Sequence, residues 1–328
     1  MTSLLDSFGR VATDLRISVT DRCNFRCTYC MPEEGLQWTP LSEILSFDEI
    51  ERIVRIAMTC GIRTVRLTGG EPLVRHKLPD LVRKLSQLGL DDLSMTTNGV
   101  LLTRHAVALA EAGLQRVNVS LDSLDRHRFA LMTRRDQLND VIEGIEAAAA
   151  AGMQPIKVNC VVLRDINETE APAFAELART SGVDVRFIEY LPLDADNSWS
   201  PGDVVPSAEI ISSVEAVHPL IPAPRHDNQP ATVFLFADGA PGSVGVIPSV
   251  TAPFCASCDR VRMTSDGQFR TCLFSTEEID LKTLLRSGAS DAEIAGAMVG
   301  AVAGKQAGHG IGSNVFMRPR RSMSMIGG

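Results

Sequence analysis

No apolar run in this chain reaches the ~18 residues that a membrane-spanning helix needs. The first ten residues, Met1 to Arg10, lack a basic stretch followed by an apolar core, so an export leader is not expected and the chain reads as cytoplasmic. Positive charge is short as well: 32 Lys and Arg against 40 Asp and Glu leave a net charge of −8. That balance argues against a general nucleic-acid or anionic-membrane surface, and any polyanionic ligand must be met by local cations. No histidine stands beside the cysteines near the start, which removes the usual companion ligand of a structural zinc ion. Disulfides are a poor use of cysteine in a reducing compartment.

What is present is cysteine in a pattern. Six of the eight cysteines fall in two triads. Cys23, Cys27 and Cys30 are spaced C-x3-C-x2-C directly after a short apolar segment. Three thiolates on one tight loop can hold three irons of a cubane cluster and leave the fourth iron open to a ligand. Cys255, Cys258 and Cys272 are spaced C-x2-C-x13-C, and the stretch from Val261 to Thr271 reads as a β-hairpin turning at Ser265-Asp266-Gly267, which would return Cys272 to Cys258. For this second triad both a zinc ion and a second cubane with an open iron fit the spacing. Cys60 and Cys160 lie in apolar segments and are expected in the core.

A 328-residue chain with 45% hydrophobic residues can bury a large core, as two domains or as one with an appendage. From residue 15 to about 190, short β-branched runs alternate with amphipathic ones at roughly 25–35 residues per pair, the rhythm of βα units. Strands are expected at Leu15–Val19, Thr64–Leu67, Asp92–Met95, Arg116–Val119, Ile156–Val162 and Asp184–Ile188. Ser46 and Glu49 read as a capping box, and Gly61, Gly89, Gly113, Gly152 and Gly182 mark helix ends. The polar motifs follow strands, so one face of a parallel sheet collects the chemistry. After about residue 200, six prolines between Pro201 and Pro230 and short β-like pieces at Thr232–Phe236 and Val244–Ile247 mark a separate C-terminal module. Ser290 to Ala303 reads as helix.

The run Thr68-Gly69-Gly70-Glu71-Pro72 ends the second strand; its glycines allow close backbone approach to a ligand, and Glu71 is expected to accept from an ammonium. Together with the first triad and Tyr29 just before its last cysteine, this run resembles the radical S-adenosylmethionine (SAM) enzymes. The resemblance implies an α/β fold: a partial (βα)6 TIM-like barrel over 1–200 with a SAM-binding 4Fe–4S cluster, and a β-containing module over 201–328 carrying a second 4Fe–4S cluster. Arg260 and Arg262 share parity on the hairpin, and Arg16, Arg66, Lys157 and Arg186 occupy strand places that could point inward, enough cations for a highly charged anion.

With Thr96-Thr97-Asn98-Gly99, Ser120-Leu121-Asp122-Ser123, Arg186 to Tyr190, Cys258 to Arg262 and the terminal Gly327-Gly328, the chain resembles the GTP 3′,8-cyclase family over nearly its whole length. That resemblance implies SAM contacts at Tyr29, Gly69, Gly70, Glu71, Ser120 and Leu191. It implies GTP contacts at Arg16, Arg66, Thr97, Lys157, Arg260, Val261 and Arg262. Arg186 and the tail, Gly327 and Gly328, would take part in catalysis. The family usually has Met where Leu191 stands, which keeps apolar bulk and loses a polarizable sulfur. The implied reaction is cyclisation of GTP to (8S)-3′,8-cyclo-7,8-dihydroguanosine 5′-triphosphate, the first step of molybdenum cofactor biosynthesis. A 5′-deoxyadenosyl radical from SAM takes hydrogen from C3′. The implied partners are an electron donor and, for the product, a downstream cyclic pyranopterin monophosphate synthase; a homodimer is one assembly left open. The rival readings are a two-cluster radical SAM enzyme acting on a peptide and a non-catalytic electron-transfer protein. The first would not call for this many cations, and the second leaves the Gly69-Gly70 turn unexplained.

Overall fold

The computed structural model describes residues 3–224, 229–314 and 316–327. Six strands, β1 (Asp14–Ser18), β2 (Thr64–Thr68), β3 (Asp92–Thr97), β4 (Arg116–Ser120), β5 (Lys157–Val162) and β6 (Asp184–Glu189), pair in parallel in chain order. Between them run α1 (Phe47–Thr59), α2 (Leu78–Ser86), α3 (Leu102–Glu111), α4 (Arg126–Thr133), α5 (Leu138–Ala150) and α6 (Ala171–Ser181). Helix α1 starts where expected: Ser46 Oγ accepts from Glu49 N at 3.1 Å and the Glu49 carboxylate accepts from Ser46 N at 2.7 Å. The five glycines expected at helix ends all have positive φ, from +76° to +105°.

After β6 come α7 (Ser207–Glu215), β7 (Leu220–Pro222), β8 (Thr232–Phe236), β9 (Ser243–Ile247), β10 (Arg260–Met263), β11 (Gln268–Arg270), β12 (Ile279–Asp280), α8 (Leu281–Arg286), α9 (Asp291–Ala303) and α10 (Met323–Ile326). The segment beyond residue 200 joins the six-strand sheet at both edges. Among the described residues one sheet runs β12-β11-β10-β1-β2-β3-β4-β5-β6-β9-β8-β7. β10 pairs in parallel with β1 and β9 in parallel with β6. The hairpin of β10 and β11 is present, turning at Gly267 with φ +83°.

Alternation along the strands sorts the side chains. Leu15, Ile17, Val65, Leu67, Val117, Val119, Val158, Val185 and Phe187 are buried in the core, each aliphatic contributing about 1.5–3 kcal/mol relative to exposure. The opposite parity carries Arg16, Arg66, Ser94, Asn118, Lys157 and Arg186. In register, Arg262, Arg16, Arg66 and Ser94 form one continuous row across β10, β1, β2 and β3. Cys60 and Cys160 are buried in the core as expected.

Candidate active site

The first cysteine triad sits on the loop that leaves β1. Helix α4, which sequence periodicity does not announce, pins that loop: Arg26 N donates to the Thr133 carbonyl at 3.0 Å and Thr28 N to the Met132 carbonyl at 2.9 Å. Arg134, next in the chain with φ +54°, donates to the carbonyls of Arg26 and Met31, each at 3.0 Å. Cys23, Cys27 and Cys30 line one cavity together with Tyr29, Gly69, Gly70, Thr97 and Ser120. Burial pushes the Cys23 thiol up to about 12 and that of Cys30 to about 11. A thiol raised that far keeps its proton at neutral pH unless a metal replaces it.

The glycine turn is zipped to the cysteine loop. Gly70 N donates to the Thr20 carbonyl at 2.9 Å and Glu71 N to the Arg22 carbonyl at 2.8 Å. A Cβ on Gly69 or Gly70 would fall under 3.0 Å from the Thr20 or the Arg22 carbonyl oxygen. Glu71, expected to face an ammonium, is instead fully buried. Its carboxylate accepts from Leu73 N at 2.9 Å, Thr97 Oγ1 at 2.8 Å and Asn98 N at 2.7 Å, so it braces the turns after β2 and β3. Tyr29 donates to Asp122 Oδ2 at 2.6 Å, while Val161 N donates to Asp122 Oδ1 at 2.8 Å, which fixes the tyrosine against the cavity wall. Asp122, in the Ser120-Leu121-Asp122-Ser123 run, is a positioning residue that motif reading passed over.

The cations gather on the inward parity. Arg66 donates to Ser94 Oγ at 3.3 Å. Its guanidinium is pushed down to about 9 by burial and then by Arg16. Burial, followed by the charges of Arg16 and Arg260, holds Arg262 well below the usual range. Among the described residues, Arg16 Nε and one Arg260 Nη are buried without a hydrogen-bond acceptor, and Arg260 lies over the Phe254 ring at 4.4 Å. Such a cluster is costly alone and is relieved by an anion. Two expected members differ in placement. Val261 is fully buried in the core opposite Leu15, so its side chain faces away from the arginine row. Arg186 donates to the Val185 carbonyl at 2.8 Å and to Ser243 Oγ at 3.0 Å, and lies 3.4 Å from Asp184, so it is engaged within β6 and β9.

The second triad is framed by two further cations that the sequence did not single out. Lys305, buried just past α9, donates to the carbonyls of Cys258 at 3.0 Å and Arg260 at 2.9 Å. Arg10 donates to the carbonyls of Cys255 at 2.7 Å and Ala307 at 2.9 Å. Despite burial, Arg260 and Lys305 hold the Cys258 thiol below its ordinary range. Lys305→Met strands two buried carbonyls and is expected to lower unfolding free energy by about 1.5–3 kcal/mol, read from denaturant titration. Among the described residues, no three His, Cys, Asp or Glu side chains close on a single-ion position.

Between the triads lies the tail. Met323 and Ser324 line the cavity of the first triad. Leu191, Cys272 and Met323 pack on a buried cluster of Leu193, Phe274 and Ile326, which puts Leu191 and the second triad against the tail. Arg262 donates to the Gly327 carbonyl. A Cβ on Gly327, φ +70°, would fall under 3.0 Å from Ser18 and Thr68. Gly328 lies outside the described residues.

A profile of the radical SAM superfamily matches residues 17–178. One described as Molybdenum Cofactor Synthesis C matches residues 183–311. The crystal structure of Streptococcus suis SuiB bound to S-adenosylmethionine superposes with a TM-score of 0.61 at 16% identity, covering 88% of this chain and 68% of that one, a likeness of fold. Fold and profiles define a radical SAM protein, a class that uses SAM and a 4Fe–4S cluster. A GTP 3′,8-cyclase of Streptomyces coelicolor is 50% identical over 329 residues, covering 99% of this chain and 96% of its own. Another, of Corynebacterium glutamicum, is 46% identical over 337 residues, covering 99% and 89%. The chain belongs to the GTP 3′,8-cyclase family. The three thiols on one cavity beside a glycine cradle fit a cluster with SAM on its open iron.

Proposed function

We propose that this chain cyclises GTP to (8S)-3′,8-cyclo-7,8-dihydroguanosine 5′-triphosphate, the first step of molybdenum cofactor biosynthesis. The observation that carries the reading is the row of Arg262, Arg16 and Arg66, with Arg260 beside it, on the face to which the tail also comes. Cys23, Cys27 and Cys30 would hold the first 4Fe–4S cluster; Cys255, Cys258 and Cys272 would hold a second, which would serve the substrate. When bound, the first cluster and SAM supply one-electron cleavage of SAM and hence hydrogen abstraction from the substrate.

The chain's own residues bind, orient and exclude water. Gly69 and Gly70 let backbone approach SAM, with Tyr29, Ser120 and Leu191 around it, and Glu71 holds the turn in shape. Arg16, Arg66, Lys157, Arg260 and Arg262 anchor the triphosphate, Thr97 and the Val261 backbone complete the pocket, and Arg186 stiffens its wall. Gly327 closes the cavity against competing hydrogen donors, and Gly328 is taken to act in the reaction with it. We take 1–200 as the radical SAM part and 201–328 as the substrate part. Eight free cysteines suit a reducing cytoplasm. A one-electron reductant must supply the cleavage, and a synthase forming cyclic pyranopterin monophosphate would consume the product.

Anaerobic reconstitution tests the reading. About eight irons per chain are expected, falling to about four in Cys258→Ser, as two cubanes require. Release of 5′-deoxyadenosine is expected to depend on GTP. Four irons in the unaltered chain, or release indifferent to the nucleotide, would overturn the reading.

Lys157 adds a pH signature. Burial, then the charges of Arg116, Arg186 and Arg66, push its ammonium down to about 8. Its proton is needed to meet phosphate, so kcat/KM for GTP is expected to be full below that pH and to drop to a lower plateau above it. Lys157→Arg, which stays charged, is expected to remove the drop. Stability moves the other way: the unfolded chain holds this proton more tightly, so the fold gains stability as pH rises from about 8 toward the ordinary lysine range.

A further inference from the structure

We propose that Arg318 and Arg321 form an ionic clasp that seats the C-terminal tail against the cavity of the first triad. The tail's part in the reaction rests on the function proposed above; the clasp itself rests on geometry alone. Arg321 meets Asp266 in a two-point contact, Nη1 to Oδ1 at 3.1 Å and Nη2 to Oδ2 at 2.9 Å, and its Nε lies 2.8 Å from Glu278 Oε1. Asp266 stands at the turn between β10 and β11, the hairpin that carries Arg262 and leads to Cys272. Glu278 also takes the buried Arg270, so the acceptor side is itself fixed.

Three residues earlier, Arg318 reaches the opposite wall. It donates to Asn197 Oδ1 at 2.7 Å and lies 3.3 Å from Asp194 Oδ1. The Asp194 side chain is fully buried, and its Oδ1 has no hydrogen-bond donor among the described residues. Its Oδ2 accepts from Ser198 N at 2.5 Å, so the guanidinium of Arg318 is the charge that offsets this carboxylate. The tail is thus gripped on one side by the hairpin of the second triad and on the other by the loop after β6. From that grip the chain turns directly inward. Met323 N donates to the Leu193 carbonyl at 3.4 Å, and α10 then carries Gly327 to Arg262.

The residues from Gly304 to Ser322 form no helix or strand among those described. Ile311 and Phe316 of this segment pack on the buried cluster of Leu193, Phe274 and Ile326, and the two arginine pairs add the charged contacts that set the angle at which the tail enters. Both arginines are a little over one-fifth exposed, so the pairs are partly open to salt. An ionic grip on a segment without regular structure can hold it in place and release it without unfolding the domain. The apolar part of the anchor, Ile326 in its cluster, is not weakened by salt, so a response to ionic strength reports the arginine pairs.

Hydrogen exchange of the C-terminal peptide covering 322–328, in the full chain with and without reconstituted iron, tests the clasp. At low salt, the double variant Arg318→Ala/Arg321→Ala is expected to exchange roughly tenfold faster than the unaltered chain, as the loss of two partly buried pairs implies. Arg321→Lys is expected to fall between. Arg320→Ala, exposed and between the two, is expected to change nothing. Raising NaCl to about 1 M should speed exchange in the unaltered chain and close most of the gap to the double variant. Equal exchange at low salt, or no response of the unaltered chain to salt, would overturn the clasp; the salt arm holds even if the double variant fails to fold. Faster exchange accompanied by a lower kcat at unchanged iron content and SAM binding supports clasp and tail together. Faster exchange with unchanged kcat leaves the clasp standing and removes the tail from the reaction.

Discussion

Arg262→Met is expected to lower kcat/KM for GTP by about 10²–10³-fold while thermal stability stays level or rises. The two effects have one cause. Arg262 is 5% exposed, with Arg16 beside it in register and Arg260 next but one, and burial and those two charges press on its guanidinium. Without an anion the fold bears that cost. Methionine keeps the methylene volume and removes the charge, so relief of the buried-charge penalty offsets the lost donor to the Gly327 carbonyl. With the triphosphate bound, the same site loses a buried charge-assisted contact of about 3–4 kcal/mol, which is the fold-change above. The measurements are steady-state cyclisation and a thermal melt on one preparation, with iron content and SAM binding as the check that the first triad is loaded. A melt lowered by several degrees with turnover unaffected would make Arg262 a structural residue.

Gly69→Ala is the second large effect. Gly69 has φ +147°, and a Cβ there would fall under 3.0 Å from the Thr20 carbonyl oxygen, a backbone atom that cannot rotate away. The strand ends of β1 and β2 would have to part, and with them the hydrogen bonds that join the glycine turn to the cysteine loop. SAM binding is expected to be lost, and stability to fall by about 3 kcal/mol or more. Gly61 supplies the comparison: its φ is +105°, yet nothing lies within 4 Å of a Cβ built there. Gly61→Ala should cost only about 1–3 kcal/mol of backbone strain and leave SAM binding intact. Equilibrium dialysis with SAM and urea unfolding separate the two variants; similar SAM binding by both would refute the close-approach argument.

Much of this was legible in the sequence because it depends on local periodicity. Strand positions, the Ser46 capping box, the positive-φ glycines and the shared parity of Arg260 and Arg262 follow from period 2, period 3.6 and turn chemistry. Parity also carries a message about Val261: it lies between two inward arginines and so had to face the core. What escaped was whatever rests on distant segments meeting. Glu71 reads as a free acceptor until Thr97 and Asn98, one strand away, are seen to occupy it. Arg186 reads as a ligand for an anion until Ser243, on a strand beyond residue 200, is found beside it. Lys305 and Arg10 are unremarkable in sequence and matter only because the chain ends of the fold converge on the second triad. Helix α4 escaped for a different reason: its eight residues carry no clear apolar stripe, and its use is to present carbonyls to the cysteine loop.

The roles follow from that convergence. Strand β1 leads to the first triad and carries Arg16; β10 runs between Cys258 and Cys272 of the second triad and carries Arg260 and Arg262; the two strands are hydrogen-bonded neighbours. On the proposed function, the radical source and the substrate site would share one strand pair, with their relative placement set by backbone rather than by side-chain reach. Binding energy taken up by the triphosphate on this pair is available to orient the ribose.

The most direct test of that account uses GTP deuterated at C3′, incubated anaerobically with the reconstituted chain, SAM and a one-electron reductant. The account predicts 5′-deoxyadenosine carrying one deuterium, formed together with the 3′,8-cyclised nucleotide. Unlabelled 5′-deoxyadenosine, with GTP recovered unchanged, would contradict it.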